Sequence, residues 1–324
     1  MLVGRDSKSL VVYGGLLAAM AAVCLASLFA GAVHVPVEEM SRSTIVRLRL
    51  ARTVLSMVAG AGLSVAGVIF QAILRNPLAE PYVLGVSSGA GLGAALAIVL
   101  GLTAAGMWTV PGMAFAGALG TVLLVYALAR TAAGPAPAQT LLLSGVVVSA
   151  VFSSMLMFLL SVARSEELHG VVWWLLGSLE AFDWRLLRVV AAVVAGGLLV
   201  TLLFARDLNL MTLGEEPAAH LGLDVRWTRG LFFTTASLMT GATVAACGLI
   251  AFVGLIVPHS VRLTIGPDHR LLVPASALAG ATFLVLADSL ARTALAPLEI
   301  PIGVITAFLG GPFFLYLLRR RSFV

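Results

Sequence analysis

The stretch RLARTVLSMVAGAGLSVAGVIFQAILRNPLAEPYVLGVSSGAGLG, residues 49–93, decides the fold. Two apolar segments, each long enough to enter a membrane, meet in it at a polar break of Arg75, Asn76, Pro77, Glu80 and Pro81. Neither a plain hydrophobic span nor a soluble core helix would carry such a break. In the second segment Gly85, Gly89 and Gly93 recur every four residues, giving one helix face where another backbone can approach closely. The first segment is built likewise from Gly60, Gly62, Ser64, Ala66 and Gly67. Non-helical backbone between two such helices is tolerated in a bilayer only where protein or a water-filled cavity surrounds it. The stretch therefore predicts channel or transporter architecture.

Working outward, the whole chain has the same character. Its 324 residues are 60% apolar and 11% charged, far from the roughly quarter-charged norm of soluble domains. At about 20 residues per span, this predicts an all-α polytopic membrane protein of about ten transmembrane helices, some broken or short. Residues 1–324 are read as one transmembrane domain. Of the 20 basic residues only Lys8 is a lysine, and the arginines are scattered rather than gathered into the stripe that nucleic-acid binding needs. Cys24 and Cys247 lie inside apolar runs and read as packing residues, neither a disulfide nor a metal pair.

Apolar windows fall at about 10–33, 53–74, 82–102, 107–129, 140–162, 184–205, 230–257, 271–296 and 302–318, and a short piece from Pro258 to about 266 completes ten. Positive charge at both ends, Arg5 and Lys8 against Arg319, Arg320 and Arg321, places both termini in the cytoplasm by the positive-inside rule and requires an even count. Arg42, Arg47, Arg49 and Arg52 crowd the first outer loop against that rule, so that either the topology differs or they face an acidic partner outside, with snorkelling into lipid headgroups as the plainer alternative; Arg292 would share their surface. Residues 164–183, with Trp173 and Trp174 beside charged positions, suit a short surface helix at the membrane interface.

The loop from Arg206 to Arg229 contains GEEPAAHLGLD. Gly214 and Gly222 bracket a short helix there. Glu215 and Glu216 stand at its N-terminal end, where the helix dipole favours carboxylates, and Pro217 fits an early helical position. Such a capped helix is something a partner protein can grip. A loose internal echo links residues 52–93 with 229–280, each breaking at a proline, Pro77 or Pro258; corresponding broken helices in two halves point to a pathway.

In its motifs the chain resembles the FecCD family of ABC-importer permeases, type II importers of iron–siderophore complexes, haem or cobalamin. The motifs RLARTVLSMVAGAGLSVAG, RNPLAEPYVLGVSSGAGLGA, LLLSGVVVSA, WWLLGSL, GEEPAAHLGLD, GLIAFVGLIVPHSVRLTIGPDHR, ADSLAR and EIPIGVITAFLGGPFF follow the family's order over nearly the whole chain. The resemblance implies a multi-pass subunit of the inner (cytoplasmic) membrane, forming a homodimer with the path between two copies. It also implies two ATP-binding-cassette ATPase subunits below and a periplasmic or lipid-anchored substrate-binding protein above. Arg49, Arg52 and Arg292 match the outer arginines that meet glutamates of the binding protein. Glu215, Ala218, Ala219, Leu221 and Gly222 match the coupling helix that fits the ATPase, and Ala138 and Gln139 correspond to the cytoplasmic gate, here within GPAPAQ, without the small hydroxyl residues of some relatives. ATP and Mg belong to the ATPase, so this chain is expected to bind no cofactor and to be no enzyme. The cargo implied is an iron chelate, a ferric siderophore or haem, with cobalamin as the alternative.

Other readings compete for particular residues. GVSSG at residues 85–89 fits the G-x-S-x-G nucleophile pattern, but that elbow needs a strand, a sharp turn and a helix. Ser87 and Ser88 read instead as lying near the start of a half-helix by the pathway, with Asn76 and Pro77 in the break beside it. Asp288, acidic within an apolar span, is a functional candidate by default, yet Arg292 follows at i+4, where the two can pair. His259, beside Pro258, has no metal-ligand partner at suitable spacing. A secondary transporter coupled to an ion gradient, using Asp288 and Glu299, is the rival from another class. Against self-sufficient ATP-driven transport, the chain has no G-x-x-x-x-G-K-[ST] phosphate loop.

Overall fold

The computed structural model describes residues 3–31, 44–129, 138–180 and 183–319. They form thirteen α-helices and two short 3₁₀ turns. In chain order the helices are α1 (Val3–Phe29), α2 (Thr44–Ile73), α3 (Val86–Val99), α4 (Thr109–Ala129), α5 (Ala138–Val162), α6 (Ser165–Leu176), α7 (Trp184–Leu203), α8 (Ala205–Thr212), α9 (Glu215–His220), α10 (Val225–Cys247), α11 (Val253–Ile265), α12 (His269–Thr293) and α13 (Ile302–Arg319). Seven, α1, α2, α4, α5, α7, α10 and α12, are long and apolar enough to cross a membrane; α3, α11 and α13 are shorter apolar helices. Apart from the boundary between α10 and α11, these are the helices expected from the apolar windows, and the chain is a multi-pass membrane protein.

Helices α2, α10 and α12 form the buried centre, while α1 and α5 lie at the periphery with most of their surface uncovered. Small residues explain which helices go inside, because lipid is as apolar as a leucine face and helices associate in it by close packing. A Cβ on Gly60 would lie 2.2 Å from the Gly280 carbonyl oxygen of α12, and one on Gly67 would lie 1.9 Å from that of Gly254 in α11. Gly89 and Gly117 face each other in the same way, and Gly93 abuts the Met113 carbonyl, which seals α3 onto α4. Of the expected glycine seam, Gly85 serves otherwise: its φ of +84° ends the 3₁₀ turn Pro81–Leu84 and starts α3.

The first break lies where the sequence places it, between Ile73 and Pro81. The second does not. The expected window 230–257 is interrupted after Cys247, and Pro258 sits inside α11 rather than opening a helix. Proline removes an N–H and leaves the carbonyl four residues earlier without its helical donor. Here that carbonyl, Gly254, accepts from Gln71 Nε2 of α2 at 3.2 Å, so the helix continues through Pro258. Gln71 Oε1 in turn accepts from Arg262 at 2.9 Å. The turn into α11 falls at Phe252, a non-glycine residue at φ +70°. Its ring presses on Gly310 of α13, where a Cβ would lie 2.3 Å from Phe252 Cγ.

Candidate functional site

Three polar regions interrupt the apolar body. At one end, Asp288 of α12 is buried between two arginines. Arg52 Nε of α2 donates to Asp288 Oδ1 at 2.7 Å, and Arg292 Nε lies 3.1 Å from Asp288 Oδ2. The expected i+4 pair exists; Arg52 is a second partner that spacing along the chain could not reveal. Arg52 Nη1 also donates to Glu299 at 2.8 Å, in the loop between α12 and α13, with Glu180 3.9 Å away. Glu180 and Glu299 share a hydrogen bond. That bond, helped by burial, raises Glu180 above the usual carboxyl range. Burial would raise Glu299 as well, but the Glu180 bond and Arg52 outweigh it and hold Glu299 low.

Arg49 and Arg292 are expected on the outer surface, and this is corrected. Both are buried, 8% and 3% exposed. Arg49 Nη1 donates to the carbonyls of Leu28 and Phe29, and Arg292 donates to those of Ala30 and Ser27. The last carbonyls of a helix have no intrahelical partner, and two guanidinium groups satisfy those of α1. Gly31 makes room: a Cβ there would lie 2.6 Å from Arg49 Nη2. Arg52 keeps an ion pair that reaches the exposed surface, through Glu299. Arg42 lies outside the described residues.

The second region joins the two breaks. The N–H of Phe252 donates to the Glu80 carboxylate, and that of Ile250 donates to the Tyr82 hydroxyl. Side chains of the first break thereby satisfy backbone freed by the second, as buried polar groups require. Among the expected pathway residues, Asn76 Oδ1 accepts from the Leu78 N–H at 2.9 Å and shapes the turn that carries Pro77. Ser88 Oγ donates to the Gly85 carbonyl, and Ser87 is buried at the start of α3. No strand precedes Gly85, so a nucleophile elbow is absent there. Gln139 is exposed at the start of α5. The backbone of Ala138 begins that helix, while the rest of the expected gate loop, through residue 137, lies outside the described residues.

The third region is the segment 205–224. The expected short helix is α9. Gly222, at φ +85°, closes it: the Gly222 N–H donates to Ala219 and the Leu223 N–H to Ala218, the paired bonds of a glycine-terminated helix end. Gly214, Glu215 and Ala218 turn toward the body of the protein, whereas Glu216, Ala219, Leu221 and Gly222 are exposed. Of the motif expected to meet an ATPase, these last positions are open to a partner, and Glu215 is partly so. Glu215 pairs with Arg229 of α10. In α8, Asn209 donates to Asp268 at 2.8 Å and accepts from the His269 N–H at 2.9 Å at the start of α12. Burial alone would raise Asp268, but the bonds from Asn209 and the Arg270 N–H hold it below the usual range.

Comparison with known proteins agrees with this architecture. The sequence profile of the FecCD transport family matches residues 17–320. The cobalamin import system permease protein BtuC of Halobacterium salinarum is 45% identical over 91% of this chain and 78% of its own length. The Fe(3+) dicitrate transport system permease protein FecD of Escherichia coli is 39% identical over 93% of this chain and 96% of its own. A solved inward-facing ABC transporter assigned to the metal-chelate type superposes with a TM-score of 0.87 at 30% identity, covering 96% of this chain and 99% of that one.

Proposed function

The chain belongs to the FecCD transport family, an ABC-importer permease, and from that membership we propose that it takes up a metal held in an organic chelate, working as one of two identical subunits. Two separate ATPases would drive it from the cytoplasm and a periplasmic or lipid-anchored protein would deliver the cargo. The observation that carries this reading is α9, a six-residue helix closed by glycine and fixed to the interior by Glu215 while Glu216, Ala219 and Leu221 stand exposed. A chain without a phosphate loop needs such a handle for an ATP-hydrolysing partner. In this reading α9 faces the cytoplasm of a cell whose inner membrane holds the protein, and both termini lie on that side.

The clefts between α4, α7 and α10 hold about 160 and 280 Å³, short of the roughly 300–1,000 Å³ that encloses a drug-sized ligand. At the outer end Arg52 and Glu299 are the charged groups offered to a binding protein, with Arg49 and Arg292 bracing the platform behind them. Such exposed contacts steer encounter more than they fix affinity.

An iron chelate is the first reading of the cargo. Cobalamin is the second, favoured by the 45% identity to a cobalamin permease; in both a metal is already wrapped by an organic ligand. The test is reconstitution in liposomes with the cognate ATPase and binding protein, offering ferric siderophores, haem and cobalamin in turn. ATP-dependent uptake of one of these is expected. Uptake by the permease alone, indifferent to ATP, would overturn the importer reading in favour of a secondary transporter.

A further inference from the structure

Arg229 lies one turn into α10 and is 3% exposed, yet its Nη2 pairs with Glu215 Oε1 at the first position of α9. A side chain so deeply covered is out of reach of a protein seated on the surface. Whatever Arg229 contributes to coupling therefore passes through residues of its own chain. Parting a buried ion pair is far more costly than parting two exposed charges.

The segment around the pair is closely packed and hydrogen-bonded. Leu208, Met211 and Ala218 are fully buried beneath α8 and α9. The rings of Phe204 and Trp227 meet edge to face at 5.4 Å, and Asp224 caps α10 through the Trp227 N–H at 2.9 Å. Asn209 fastens α8 to the start of α12. Arg75, at the end of α2, lies against Gly214, where a Cβ would be 3.2 Å from its Nη1. These contacts and the Glu215–Arg229 pair join α9 to α8 and α10. The far end of α10 is the break whose N–H groups Glu80 and Tyr82 hold.

We propose that Arg229 is a positioning residue for transport: the Glu215–Arg229 pair passes displacement of α9 to α10 and so to the break at 248–252, with Asn209 as the second fastening, onto α12. This rests on the importer reading above.

The experiment uses the full complex in liposomes and measures cargo moved per ATP hydrolysed for the unaltered protein, Glu215→Gln, Arg229→Ala and the exchanged pair Glu215→Arg with Arg229→Glu. Each single change is expected to lower the ratio about tenfold while ATP hydrolysis continues, the scale on which changes along a coupling route act. The exchange should recover most of it, which neither loss of packing nor loss of a direct ATPase contact at Glu215 would allow. Glu215 is partly exposed, so Glu215→Gln keeps the test open if Arg229→Ala does not assemble. An unchanged ratio in Glu215→Gln, or no recovery in the exchanged pair, overturns the proposal. ATP-indifferent uptake by the unaltered protein would instead remove the importer reading, and this inference with it.

Discussion

Asp288 shows how a charge survives inside an apolar span. Its carboxylate faces Arg52 and Arg292, themselves 13% and 3% exposed. Removing one member of such a cluster leaves like charges buried without compensation, a loss of about 3–5 kcal/mol. Asp288→Asn should lower the melting temperature in detergent and loosen α1, whose end Arg292 caps; a proton relay at Asp288 would instead leave stability intact and alter an ion dependence of transport. Glu180 gives a pH prediction. Because its carboxyl is raised by Glu299 and burial, it binds more protons folded than unfolded, so its stabilising contribution is full below the ordinary range and lost as pH rises through its raised value. Glu299, held low, has the opposite sign, and its contribution is lost only as pH falls below the ordinary range. Glu180→Gln keeps a donor toward Glu299 at every pH. Melting curves of the two proteins should therefore diverge as pH rises from about the ordinary glutamate value of 4.5, with the unaltered protein falling behind; parallel curves would contradict the raised Glu180.

Among the elements, glycines fall into two kinds that the sequence alone does not separate. Gly67 has the Gly254 carbonyl where a Cβ would go, while Gly120 in α4 has nothing within 4 Å. Gly67→Ala should destabilise by about 1–3 kcal/mol or more, since backbone must shift to admit the methyl. Gly120→Ala should be neutral or stabilise by about 0.5–1 kcal/mol through the lower entropy of the unfolded chain. Thermal unfolding of the two variants decides, and equal effects would contradict the packing of α2 on α11. The first break was legible because proline, asparagine and charges cluster within a few residues. The second was misplaced onto Pro258, because a proline mid-helix normally signals a break and only tertiary contact with Gln71 shows it tolerated. Its true signal, Gly248 followed by a strained Phe252, is apolar and merges into the surrounding hydropathy.

For the molecule as a whole, the surface of α9 is the place to separate the transporter classes. Leu221→Asp, at an exposed position, should leave the permease folded while abolishing association with the proposed ATPase, measured by co-purification; undiminished association would move the ATPase contact elsewhere. Most of this handle could be read from its caps and acidic start. Which side of it faces inward could not, since Glu215 and Glu216 are adjacent and chemically alike, and Arg229 alone distinguishes them. Arg49, expected outside from its breach of the positive-inside rule, and Arg292, expected beside it, instead finish a helix of their own chain.

The sequence by itself determined an all-helical membrane protein, the first break, the glycine seams and the capped helix, because hydropathy, small-residue spacing and capping are properties of neighbours along the chain. Only the tertiary structure decided which charges meet, which glycines are indispensable and where α10 ends. Arg52 finds Asp288 and Glu299 across 236 and 247 residues, and in an apolar interior a charge takes whichever partner the packing of helices brings within reach.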